Sequence, residues 1–283
     1  MSSESHDRKD EPGESSVPAS RSTERISSRA PSAWGAARDA LAAIHNLEAL
    51  LRSERVEPRT IRDLVPELRA GAGVLRDAFE KARAAGDAAA SVGAYGSEKV
   101  VALEQLLDRA ASLSDPRDQL AGRARALEEE LEAAADLLAV LERASVPSPT
   151  EVSAELLVRE TGRLWGSGRG REVSVRLDAP PPDGAVTTDP YVAGPLLALL
   201  VARVHAAGAR VVVVRARCTS TQVTFHVGPG DSSDAVRPAI AMRVMPSIPP
   251  TAQAARRVAE QLGASLEWHE ASGSLALPLA AAG

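Results

Sequence analysis

The chain has 283 residues, enough for two modest domains, each with its own core. Its 44% hydrophobic and 25% charged residues suit a protein that folds in water, while 2% aromatics leave Leu, Val and Ala to fill the interior and disfavour modules that stack nucleic-acid bases. The formal net charge of -5 argues against a chain-wide basic surface for DNA, and the single cysteine excludes an internal disulfide or a zinc cluster.

Residues 1–32 are rich in Ser, Glu, Arg and Pro and nearly lack large apolar side chains. Such a segment cannot bury enough surface to offset ordering entropy, so a disordered tail is expected. Its start, "MSSESHDRKDEPGESS", has no hydrophobic signal core, and no apolar run approaches the roughly 20 residues that cross a bilayer. A cytoplasmic protein with no membrane partner is expected.

From 33 to 145 the pattern is helical. "SAWGAARDALAAIHNLEALLRSE" sets Leu41, Ile44, Leu47 and Leu51 at helical spacing, and Pro58 ends any continuation. A second helix is expected to restart at Pro66 and to carry Leu68, Val74, Leu75 and Phe79. "AAGDAAASVGAYG" reads as a small-residue break. "SEKVVALEQLLDRAASL" and "DQLAGRARALEEELEAAADLLAVLERA" are two more helices, with Ser114 or Asp115 as cap and Pro116 in the first turn of the second. Two hairpins, each with one apolar stripe, must bury those stripes against each other or against a second chain. A four-helix bundle in one chain and a dimer through one hairpin both satisfy this.

"SVPSPT" separates a different half, 150–283. A helix near 150–165 precedes the strand "REVSVRLDA". After "PPPDG" comes the helix within "TTDPYVAGPLLALLVARVHAAGA", then the strands "RVVVVRAR" and "TQVTFHVG". Cys218, at the end of the first of these, reads as a small buried side chain. A loop without periodicity leads to the helix "TAQAARRVAEQLGA" and a hairpin, "SLEWHE" and "GSLALPL", turning at Ser272-Gly273. The fold class is therefore α+β: helical hairpins or a four-helix bundle, followed by an α/β sandwich with a mixed sheet.

Asp189-Pro190, Gly228-Pro229-Gly230 and "ARRVAEQLGASLEW" occur in an order and spacing that resemble the ATP-binding domain of sensor histidine kinases, over residues of about 150–280. "EEELEAAADLLAVLERA" is similar to the second helix of that family's dimerisation hairpin. The resemblance implies a nucleotide pocket lined by two asparagines one helical turn apart, the second holding Mg²⁺. Those positions fall on Leu199, which has no ligand atom, and Arg203, a permanent cation. The adenine-reading aspartate falls on His226, and the phosphate-approaching glycine turn falls on Pro249-Pro250, which have no amide hydrogen. Gly228 and Gly230 remain but specify only a turn. Losing the metal ligand or the adenine contact would each cost on the order of 2–4 kcal/mol. Nucleotide binding, ATPase and autokinase activity are thus expected to be lost, with no cofactor and no metal. Met242, Val244, Met245 and Ile248 lie where a nucleotide lid would be and are expected to fill the vacated pocket, or else to meet a partner.

The resemblance also implies a phospho-accepting histidine. The matching region, "AYGSEKVVALEQLL", has none; Tyr95 and Ser97 are its nearest hydroxyls. In the earlier hairpin, His45 is followed by Asn46, at the edge of the apolar stripe, without the family's following proline. The leading expectation is a catalytically inactive docking or adaptor protein of a two-component pathway. Its expected partners are a response-regulator receiver domain, a histidine kinase or a second copy joined through a helical hairpin; nucleic acid is not expected. The alternative is a histidine phosphotransferase that relays phosphoryl groups through His45. An active kinase with unusual residues ranks third, and a helical assembly protein that merely shares the fold ranks fourth.

Overall fold

A computed structural model of the chain describes residues 35–53, 55–112, 115–164, 171–177, 185–230 and 240–279. The tail expected over 1–32 lies outside the described residues. So do "PPPDG" and the first part of the loop that follows Gly230.

The helical half has four helices: α1 (Gly35–Arg52), α2 (Pro58–Ala84), α3 (Asp87–Ser112) and α4 (Arg117–Ser145). α1 packs on α2 and α4, and α3 packs on the same two, which closes a bundle within one chain. Leu41, Ile44, Leu47 and Leu51 of α1 are all buried, as their spacing predicts.

The second helix differs from expectation. It begins at Pro58 and runs through Pro66. Its apolar stripe (Ile61, Val65, Leu68, Ala72, Leu75 and Phe79) is continuous and buried, and it offsets the roughly 3 kcal/mol that an interior proline costs. Val74, expected in this stripe, lies off it and is 42% exposed. The supposed break at 84–96 is mostly helix, because alanine is the strongest helix former; only the turn at Ala85-Gly86 interrupts it. Gly93 lets α3 close on α2: a Cβ there would stand 2.5 Å from the Arg83 amide nitrogen and 2.6 Å from the Phe79 carbonyl oxygen. Pro116 stands at the N-cap of α4, and Asp115 instead pairs with Arg109 and Arg123.

The second half runs β1 (Thr150–Ser153), α5 (Ala154–Leu164), β2 (Arg171–Leu177), β3 (Ala185–Thr188), α6 (Pro190–Ala206), β4 (Val211–Cys218), β5 (Gln222–Pro229), β6 (Ile240–Val244), α7 (Thr251–Gln261), β7 (Ser265–Trp268) and β8 (Gly273–Pro278). A mixed six-stranded sheet has the order β6-β2-β4-β5-β8-β7, and β1 pairs with β3 in a separate ribbon. β2 and β4 are parallel, and the other pairs are antiparallel.

Sequence reading missed β1, β3 and β6. The first two are four residues each, too short to show a period. The third lies in the stretch read as an aperiodic loop and pairs with β2 at the sheet edge. The final turn is His269–Ser272, closed by the His269 amide donating to the Ser272 carbonyl (2.9 Å), so Gly273 belongs to the ladder opposite Trp268. Cys218 ends β4 opposite Val223 and is exposed rather than buried.

The strands place Val173, Val175, Val212, Val214, Val223, Phe225 and Val227 on one buried face, covered by α5, α6 and α7. α6 is apolar nearly all round and buried along most of its length, sandwiched between the sheet and α4, α5 and α7. Among the described residues, no helix is long and apolar enough to cross a membrane.

Candidate functional site

Asp189 opens α6 from a fully buried position. Its Oδ1 accepts the Tyr191 amide (3.0 Å), which caps the helix. Its Oδ2 accepts from Arg143 Nε (2.8 Å) and from the Ser148 amide (2.9 Å). One carboxylate thus joins the end of α4, the linker and the start of α6. The Asp-Pro pair marks a helix start, as the sequence indicates, but its charge is turned to Arg143 rather than to an open site.

The helix it starts carries Leu199, 2% exposed and part of the core. β6 and the segment after it add Met242, Val244, Met245 and Ile248, each between 2% and 4% exposed. Of the two alternatives for these side chains, the structure has them packed into the core. Arg203, one turn on, donates from Nε to the His269 carbonyl (2.9 Å) and lies 5.5 Å from the centre of the Trp268 ring. Both contacts tie α6 to the β7–β8 turn. Pro250 is the N-cap of α7, and behind it the Ile248 amide donates to Thr251 Oγ1 (3.1 Å). Pro249 is exposed.

His226 is not with Leu199. It alternates with buried Phe225 and Val227, and so stands exposed on the outer face, opposite Arg215 and Ser274 of the neighbouring strands. The inward position at the end of β5 is Val227, 1% exposed. A period-of-two count from Val223 would have found this; aligning on the glycines alone did not. Gly230 is there for space, since a Cβ would meet Val213 Cγ2 at 2.6 Å; Gly228 faces nothing closer than Ser272 at 4.0 Å.

His45 lies on α1, with its side chain 46% exposed, and its Nδ1 is 3.5 Å from Glu128 Oε2 of α4. Glu128 is the first of three buried acids at four-residue spacing, with Glu132 and Asp136, and sequence reading singled out none of them. Glu48 completes a group with His45 and Glu128 whose ligand atoms lie within 4.8 Å of one another, a set able to hold a divalent cation. Glu48 also accepts from Arg52 Nε (2.8 Å). A neutral imidazole with its proton on Nδ1, the nitrogen nearest Glu128, leaves Nε2 as the nitrogen with the lone pair. Tyr95, the hydroxyl named for the second hairpin, has its phenol pushed above the usual range by burial and by Glu130, which keeps it protonated.

No protein-family model matches the sequence, and no curated protein matches it. Among solved structures, the chain is similar to the histidine kinase AdeS of Acinetobacter baumannii, with a TM-score of 0.41 and 12% identity over 65% of this chain and 96% of that one. It is also similar to a histidine kinase of Burkholderia phymatum STM815, with a TM-score of 0.33 and 18% identity over 69% of this chain and 96% of that one.

Proposed function

We propose that this chain is a histidine-kinase-like signalling protein without a nucleotide site, which docks a receiver domain or a kinase of a two-component pathway. The observation that supports this reading is the burial of Leu199, Val227, Met242, Val244, Met245 and Ile248 in the core of the second half, each 4% exposed or less. Six aliphatic or thioether side chains supply no ligand for a hard cation and no acceptor for an adenine amino group. Burying each stabilises the chain by roughly 1.5–3 kcal/mol, so opening that core for a purine would forfeit several kcal/mol before any contact was made. Calorimetric titration with Mg-ATP is expected to give no binding up to millimolar nucleotide. Saturable micromolar binding would overturn the reading.

A second reading, phosphoryl relay through His45, is favoured by the contact with Glu128. Attack of Nε2 on an aspartyl phosphate forms the N–P bond as the acyl-phosphate P–O bond breaks. The aspartate leaves as a carboxylate, and the proton stays on Nδ1, 3.5 Å from Glu128 Oε2. Incubation with a phosphorylated receiver domain should then yield an acid-labile, base-stable label that vanishes in His45→Ala. In Glu128→Gln the labelling rate should fall, by at most the roughly 10²–10⁴-fold that a positioned proton-transfer group contributes. If no label appears on the wild-type chain, the docking role stands alone.

A further inference from the structure

Where the helical half meets the second half, the structure has a cavity of about 460 Å³. Its wall comes from the end of α2, the start of α3, the last turns of α4 and α7, which packs directly on α3 and α4. The lining is mostly apolar and includes Ala78, Ala82, Ala88, Leu138 and Leu141. The turn between α2 and α3 belongs to it and is tied to α7: Arg257 Nε lies 2.9 Å from Asp87 Oδ2, and both residues line the cavity. Lys81 and Glu142 add one charge of each sign, so among the described residues the cations and carboxylates of the lining balance. Gln261, the last residue of α7, lines it too, and its Oε1 is shielded from solvent without a hydrogen-bond partner. A shielded acceptor in that state is uncommon in a folded protein.

We propose that this cavity binds a small, uncharged, largely apolar molecule that carries an N–H or O–H group. The volume lies within the roughly 300–1,000 Å³ of small-molecule sites, which are mainly apolar with a few polar groups that fix orientation. A protein segment matches it less well: an α-helix about 10 Å across fills about 400 Å³ per turn, so a partner helix would be admitted for a single turn. The balanced charges give no net attraction to an anion or a cation, and a charged guest would also have to shed its hydration. The donor on the guest answers the Gln261 oxygen, which the amide can present by turning about its last side-chain torsion. A guest held there touches the bundle and α7 at once, and so fastens the two halves in this arrangement. Neither His45 nor any of the residues argued to exclude a nucleotide lines the cavity, so the assignment stands apart from both functional readings.

The probe is N-phenyl-1-naphthylamine, an uncharged apolar molecule with one N–H, whose fluorescence rises when it leaves water. Titrated into the full chain, it is expected to bind saturably at a single site. Ala78→Phe adds a ring to the lining and should weaken binding by about tenfold or more. Gln261→Leu keeps the bulk but removes the acceptor, and should weaken it by about 3- to 10-fold, the loss of one neutral hydrogen bond. Ala70→Phe adds the same ring at an exposed place on α2 and should leave affinity unchanged. The same ring system with a sulfonate, 1-anilinonaphthalene-8-sulfonate, should bind more weakly by about tenfold or more. Thermal unfolding shows which variants are folded; if Ala78→Phe is not, Gln261→Leu decides. No saturable binding to the wild-type chain, wild-type affinity in the folded cavity variants, or a sulfonate that binds as tightly as the neutral probe overturns the assignment.

Discussion

Asp189→Ala is expected to destabilise the chain by about 3 kcal/mol, the low end of the range for breaking a buried pair. The carboxylate is fully buried, so alanine leaves the amides of Tyr191 and Ser148 without their acceptor. A donor orphaned in a fully buried place costs about 1–3 kcal/mol, and these two part-buried amides fall at the low end. Arg143 moderates the loss, because its side chain is 32% exposed and can turn to water. In a protein of this size the change should lower Tm by roughly 6–12 °C, and urea denaturation should give a matching shift. Asp189→Asn keeps an acceptor for the helix cap and should cost less than half as much. A loss below about 1 kcal/mol in Asp189→Ala would mean that α4 and α6 are held together by apolar packing alone.

Gly93→Ala should cost about 2–3 kcal/mol, although alanine is the better helix former. The new methyl would meet backbone atoms of α2 at 2.5 and 2.6 Å, and backbone cannot swing aside as a side chain can. Gly122→Ala in α4 is the control, since nothing lies within 4 Å of its Cβ position. It should stabilise by about 0.5–1 kcal/mol through propensity and reduced unfolded-state entropy. Thermal unfolding of the two variants side by side checks the pair. If both move Tm in the same direction, the close approach of α2 and α3 is not what fixes Gly93.

The large elements were legible because their signals are long. Four helices of 18 to 29 residues repeat an apolar stripe many times, and one ambiguous residue does not obscure it. Prolines were read too literally: Pro66 marks a restart only if local propensity decides, and here a stripe of six buried side chains decides instead. β6 was hidden because Met242 and Val244 earn their strand conformation from pairing with β2, a contact between distant parts of the chain. The site was legible in part. Leu199 and Arg203 were read as residues unfit to hold a metal; Leu199 is 2% exposed, and Arg203 donates to the His269 carbonyl. His226 was matched by its distance from the glycines, whereas strand alternation assigns the inward place to Val227. The buried acids of α4 carried no local sign, since a charged helix face is usually wet and only the surrounding helices bury this one.

The closed ring of α1 to α4 bears on how the protein meets others. Because one copy buries the four apolar stripes among the described residues, a second copy is not needed to cover them, and a midpoint of unfolding that does not change on dilution is the expected result. An incoming helix could join this ring only by evicting a resident one, an exchange far slower than surface encounter. Contacts with other molecules would then fall on the outer surface of the bundle rather than in its core.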